Sequence, residues 1–356
     1  MLTFRSRSLL AVAAVVASGA AAACGAPDTP SAVTSEFAEP AGGNDDGAMS
    51  CTTEPRLTGT FLQPYLADSW TAEQWSVEFG YLREACISDV VLQWTADTGA
   101  RTVAYPAGLD GYGRSTTHDV VRRALEAADD AGADVYLGLQ VNDEWWRSYA
   151  SDPEWLSGEA RIGQRLIDDL WARYGSFGSL AGWYVPFEVD NWNLAGPQSW
   201  AAMASFYTDV AGHAKRLTPE LPVVVAPFFN PAGGLPPDRW TKMWASILSR
   251  ADIDAIALQD GVGAGHASAD QLAAWFEATA AAIDAAGTKT ELWATTETFT
   301  PGFGSMDIGS VVADMLAVQP YVSRFWSFSY NHYQSPQQVD PALHRAYLDY
   351  LVTGPA

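Results

Sequence analysis

From residue 51 onward, short apolar runs alternate with longer stretches whose apolar residues recur every three or four positions. The short runs are 57–65, 89–95, 134–141, 180–189, 222–230, 254–260, 290–299 and 324–330. Each is rich in β-branched or aromatic residues and bounded by polar residues, Gly or Pro, which predicts a strand. The stretches between them predict helices. Thr71 with Gln74 three residues later forms a capping-box pattern. Gly132 and Gly287 stand where two helices should stop. Further helices are expected over 159–174, 198–217, 236–250, 307–318 and 341–352. Eight such pairs in one α/β domain predict a single (β/α)8 TIM barrel over 51–356. The rival is an open doubly wound sheet, which usually carries a Gly-rich phosphate loop after its first strand. Here that place reads QPYLADSW.

In such barrels the C-terminal strand ends carry the active site. The first strand ends in Gln63 and Tyr65, the second in Gln93 and Trp94. The third ends in Gln140 and Asn142, followed by Glu144, Trp145 and Trp146. The fourth ends in Glu188, Asp190 and Asn191, the fifth in Asn230, the sixth in Gln259 and Asp260, and the seventh in Glu297. The eighth contains Trp326 and ends in Tyr330, Asn331 and His332.

Gln63, Gln93, Gln140 and Gln259 each follow an apolar run and share a face with the residues two and four before them. Such a ring of amides suits a neutral, hydroxyl-rich ligand; equally, it caps a barrel core by pairing with itself. Tyr65, Trp94, Trp145, Trp146, Trp192 and Trp326 offer faces on which sugar C–H groups stack, while any single one taken alone reads more as core than as platform. The adjacent pair Trp145 and Trp146 is expected to be loop-exposed. Glu188 and Glu297 stand across the mouth from one another on strands without Lys or Arg. Paired carboxylates are what glycosidic cleavage needs, one protonated and one ionised. The alternative is a structural role for each, with a cation from elsewhere.

Taken together, GTFLQPY, VLQWT, GWYVPFEVDN, LQDGVG and FSYNHY resemble the domain-of-unknown-function family 4434 across most of 57–333. That family is grouped with TIM-barrel glycoside hydrolases, and the glutamates ending strands four and seven resemble the clan A retaining arrangement. The resemblance implies Glu188 as acid/base and Glu297 as nucleophile. Clan A enzymes usually place Asn before the strand-four Glu, where this chain has Phe187. The Gln amides and Asn191 are the expected substitutes for that Asn. Asp190, then Glu144 and Asp260, are the substitute carboxylates. Gln63, Tyr65, Gln93, Trp94, Gln140, Asn142, Trp145, Trp146, Asp190, Asn191, Asn230, Gln259, Asp260, Trp326 and Tyr330 form the expected carbohydrate-binding set. A non-catalytic glycan-binding lipoprotein on the same scaffold is the alternative.

The N-terminal residues add a location. Arg5 and Arg7 precede an uncharged apolar run that ends in Ala-Ala-Ala-Cys24, a secretory signal layout over 1–23. Small residues before Cys24 suit lipidation at that Cys, which tethers a chain to a membrane surface; ordinary cleavage and secretion is the other outcome. Residues 24–50 are small, polar and rich in Pro and Gly, and read as a flexible linker. Export favours a disulfide between Cys51 and Cys86 over two free thiols.

The formal charge of −22 argues against nucleic acid as partner. The five His residues form no metal-binding motif and there is no GxSxG elbow. Neither metal nor cofactor is expected, and the chain is expected to act as a monomer.

Overall fold

The computed structural model describes residues 51–355. The expected signal over 1–23, lipidation at Cys24 and linker over 24–50 lie outside the described residues. Eight parallel strands close into a barrel in sequence order. They are β1 (Gly59–Leu62), β2 (Asp89–Leu92), β3 (Asp134–Gly138), β4 (Leu180–Val185), β5 (Val223–Val225), β6 (Ala255–Gln259), β7 (Glu291–Glu297) and β8 (Phe325–Phe328). A helix follows each: α1 (Ala72–Glu84), α2 (Val120–Ala131), α3 (Pro153–Tyr174), α4 (Pro197–Leu217), α5 (Pro237–Leu248), α6 (Ala269–Ala286), α7 (Ile308–Val318) and α8 (Pro341–Thr353). The chain is therefore a TIM barrel.

The local signals act as the residue types dictate. Thr71 and Gln74 form the reciprocal capping box of α1. Gly132 and Gly287 end α2 and α6 in the left-handed conformation that a Cβ disfavours. Helix α3 starts earlier than its periodicity indicated, because the Asp152 side chain accepts the Trp155 N–H and Pro153 fits the first turn.

The barrel is filled rather than hollow. Phe61, Tyr136, Tyr184, Trp293 and Trp326 project into it with Ala255 and Ala257. Each large ring buried there contributes about 1.5–3 kcal/mol relative to exposure. At the N-terminal end, the buried Asp89 accepts from Trp326 Nε1 at 3.0 Å and from Arg324 at 3.1 Å. The Arg324 guanidinium also lies 5.0 Å from the Trp293 ring centre. Gly59 makes room for the Trp326 ring, whose Cδ1 would lie 2.1 Å from a Cβ there. The disulfide joins Cys51, ahead of β1, to Cys86, just after α1, on this same stability face.

The segments after β2 and β3 are ordered. Ala96–Asp97, Thr102–Val103, Gly113–Arg114 and Gln140–Val141 form a small sheet of their own beside the barrel. This detour bears on one of the expected site residues.

Candidate active site

Strand alternation carries the inward face of the barrel up to its mouth. Gln63 stands two residues beyond Phe61, Gln93 two beyond Val91, and Gln259 two beyond Ala257. Glu188 stands four beyond Tyr184, and Glu297 four beyond Trp293. All five are buried. These strands deliver three amides and two carboxyls to one end of the barrel.

Burial pushes the Glu188 carboxyl up to about 8, against a stabilising hydrogen bond from Gln259, and the negative charges of Glu297 and Asp190 push the same way. Burial pushes Glu297 up to about 7, opposed by the N–H groups of Ala264 and Gly263, while the Asp314 charge raises it. The Ala264 N–H donates to Glu297 Oε2 at 2.6 Å, which fixes that carboxylate's orientation. Behind it, Asp260 accepts the Glu297 N–H at 3.2 Å and the Val262 N–H at 3.0 Å, facing away from the mouth. Burial and the charges of Glu297 and Asp314 hold Asp260 well above the ordinary range. Two buried carboxyls with different supports, one tending to stay protonated, can donate a proton and present a nucleophile.

Tyr65 is 42% exposed, and its ring lies 6.1 Å from Trp94 and 6.0 Å from His332. The Tyr65 hydroxyl donates to Gln63 Oε1. Across the mouth, Trp192 is 46% exposed and its Nε1 donates to the Asn230 carbonyl at 3.1 Å. The half-buried Asn230 uses its own Oδ1 on the Ala232 N–H. Asp190 accepts the backbone N–H groups of Trp192 and Asn193 and the Asn193 amide, so it shapes the turn after β4.

Other expected binding residues stand elsewhere. Gln140 points outward, donating to the Glu159 carbonyl of α3 at 2.8 Å, because the chain leaves the barrel after Gly138 and the alternation breaks. Asn142 donates to Thr98 Oγ1 and Glu159 Oε1, tying the side sheet to α3. Trp145 is buried rather than loop-exposed, stacked on Phe187 at 5.2 Å, and only Trp146 stays half-buried. Trp326 belongs to the barrel floor, since β8 begins one residue before it. The Tyr330 hydroxyl meets His344 Nδ1 at 2.7 Å, against α8.

Phe187 faces away from Glu188, into an aromatic layer with Trp145, Trp155 and Phe206. Asn191 is no substitute for an Asn there. Its Nδ2 donates to the carbonyls of Asn230, Gly233 and Leu235, and its Oδ1 accepts the Asn230 N–H. Glu144 is spent on Arg147 at 2.7 Å.

The mouth also holds residues that sequence reasoning did not assign to it. The buried Tyr149 hydroxyl feels the charges of Asp190 and Glu188, which help burial to raise it. The Tyr333 hydroxyl feels Glu297 and is likewise raised, chiefly by burial. His266 stacks on Phe228 at 5.6 Å and offsets part of the Asp190 shift. Tyr149 and Tyr333 stand in short helical turns and His266 in the loop after β6, segments too brief for periodicity to indicate direction; for Tyr333 the cluster FSYNHY at the end of β8 was the available signal.

The family model described as "Domain of unknown function (DUF4434)" matches residues 57–340. Among solved structures, a candidate alpha-L-fucosidase from Bacteroides thetaiotaomicron VPI-5482 is similar, with TM-score 0.70 and 21% identity over 83% of this chain and 95% of that one. The endo-beta-1,4-mannanase from Thermotoga petrophila has TM-score 0.55 and 13% identity over 85% and 78% of the two chains. A monomeric beta-xylosidase from Caulobacter crescentus CB15 has TM-score 0.52 and 15% identity over 85% and 68%. At these identities the likeness is one of fold. No curated protein matches the chain.

Proposed function

Since the chain belongs to the DUF4434 family and folds as a barrel like those of glycoside hydrolases, we propose that it is an exported glycoside hydrolase. The observation that carries this reading is the pair of buried carboxyls at the mouth, Glu188 at about 8 and Glu297 at about 7. Glu188 acts as general acid and then base. Glu297, oriented by the Ala264 N–H, attacks the anomeric carbon, so the stereochemistry is retained. In the first step Glu297 forms the bond to the sugar while the glycosidic C–O bond breaks, and the leaving oxygen takes the Glu188 proton. In the second, water attacks the glycosyl-enzyme, gives its proton to Glu188, and Glu297 leaves.

Gln259, held by its Nε2 donation to the Ala226 carbonyl at 2.8 Å, stands beside Glu188 and stabilises its carboxylate. Export is supported by the Cys51–Cys86 disulfide, a bond that persists in oxidising compartments. Lipidation at Cys24 then holds the enzyme at a membrane surface.

The test is a turnover screen against cell-wall and extracellular polysaccharides with Glu188→Gln and Glu297→Gln as controls. Each substitution is expected to lower kcat by on the order of 10²–10⁴-fold or more while the thermal melt stays cooperative. Near-normal turnover in either variant removes that residue from the mechanism. NMR of the first-formed anomer separates retention from inversion. Binding without turnover across the whole screen favours a glycan-binding protein instead, a reading to which Phe187 in place of the usual Asn lends weight.

A further inference from the structure

One side of the mouth carries polar atoms that the protein leaves unpaired. Gln93 Oε1 is buried and has no hydrogen-bond partner among the described residues. His332 Nε2, in the short helix Tyr330–Tyr333 after β8, is also buried without a partner. Atoms of this kind are costly to leave unpaired, and a ligand group that supplies the missing bond gains from them.

These two atoms belong to one wall. Strands β8, β1 and β2 are neighbours in the barrel, and Tyr65 bridges them through its contacts with His332 and Trp94. The wall begins at the proposed nucleophile. Tyr333 feels the Glu297 charge, stacks on Phe299 at 5.3 Å, and neighbours His332 at 5.8 Å. A ligand positioned at Glu297 therefore runs along Tyr333, His332 and Tyr65 towards Gln93 and Trp94.

The chemistry of the wall restricts what it takes. It offers an amide, an imidazole that burial holds neutral and flat aromatic faces. Glu188, Glu297 and Asp190 form no ion pair with Lys or Arg among the described residues, and the two groups whose charges raise Glu188 are both acids. A uronate or sulfated ring would bring a further negative charge beside acids that no described Lys or Arg pairs with, the His266 charge acting on Asp190.

We propose that the β8–β1–β2 side of the mouth is a subsite for an uncharged sugar ring, with Gln93 and His332 reading its hydroxyl groups and Tyr65 and Trp94 supporting its face. This rests on the reading of the mouth as a glycan site and specifies its substrate class: neutral rather than anionic glycans.

The experiment measures binding separately from turnover. The full-length protein carrying Glu188→Gln is titrated by calorimetry with cello-, manno-, xylo- and galacto-oligosaccharides and with oligogalacturonides. The proposal expects binding of at least one neutral series and at least tenfold weaker binding of the uronides. Adding Gln93→Leu or His332→Phe should each weaken the neutral ligand at least tenfold without changing the melt. Tyr65→Ala, at an exposed ring, provides the same readout should either buried substitution unfold the chain.

Absence of neutral binding, equal or tighter uronide binding, or unchanged affinity in the folded wall variants overturns the subsite. Turnover by the wild type, lost in Glu188→Gln, tests the catalytic reading on its own. Selective neutral binding without turnover leaves the subsite standing and removes the catalysis. Turnover with wall variants of unchanged affinity does the reverse.

Discussion

Glu188 keeps its proton in the fold to about pH 8, whereas the unfolded chain releases it near 4.5. Between those values the folded state binds the extra proton, so this residue's contribution to stability falls as pH rises through that window. Above it, the buried charge costs on the order of a few kcal/mol, because each tenfold change in proton affinity between the two states is worth about 1.4 kcal/mol. Glu188→Gln, which mimics the protonated acid, should therefore melt close to the wild type at pH 4 and above it at pH 9. Melting curves across that range check this, and a variant no more stable at pH 9 rejects burial as the cause. The second residue-scale prediction concerns Asp314, whose negative charge raises Glu297 from α7. Asp314→Asn should lower the Glu297 value and move the acid limb of kcat/KM to lower pH. An unmoved limb would show that Asp314 does not act on Glu297.

At the scale of elements, strand alternation was a dependable guide only as far as the strands run. Gln63, Gln93, Gln259 and Glu297 stand at a strand's last residue or one beyond it, while Glu188 lies three residues past β4, and all five are buried. Gln140 carries the same sequence signal, yet its strand ends at Gly138 and re-pairs with Ala96 in another sheet. Trp326 fails for a different reason: β8 is short, and its second residue belongs to the floor. The turn after β4 shows a further division. The Asn191 side chain holds the backbone of the segment 230–235 through four hydrogen bonds, beside the Trp192 Nε1 bond to the Asn230 carbonyl. Asn191→Ala should cost about 2–3 kcal/mol by leaving these buried groups unsatisfied. Hydrogen exchange should quicken at Asn230, whose N–H bonds the Asn191 side chain, with the β4 and β5 amides unchanged. Unchanged exchange at Asn230 would refute the linkage.

At the scale of the whole molecule, the disulfide is the one covalent constraint among the described residues. It spans a sequence separation of 35 and ties the entry to β1 to the end of α1. Constraining a loop of that size contributes about 3–4 kcal/mol in the chain-entropy model. Cys51→Ser with Cys86→Ser should lower the melting temperature and leave ligand affinity unchanged, since the bond lies at the opposite end of the barrel from the mouth. A loss of affinity in the folded double variant would contradict that separation.

The repeat of strand and helix patterns by itself determined the barrel, because each local signal agrees with the same fold. The eight strands, the caps at Thr71, Gly132 and Gly287, and the place of Glu297 at the end of β7 follow from periodicity and residue chemistry alone. What only the tertiary structure decided is which polar groups are already used. Asn142, Asn191, Trp145 and Tyr330 look like site residues in sequence, but find partners distant in the chain. Gln93 Oε1 and His332 Nε2 have no hydrogen-bond partner among the described residues. Whether a side chain is satisfied depends on neighbours that folding brings from other strands, and linear order does not encode that directly.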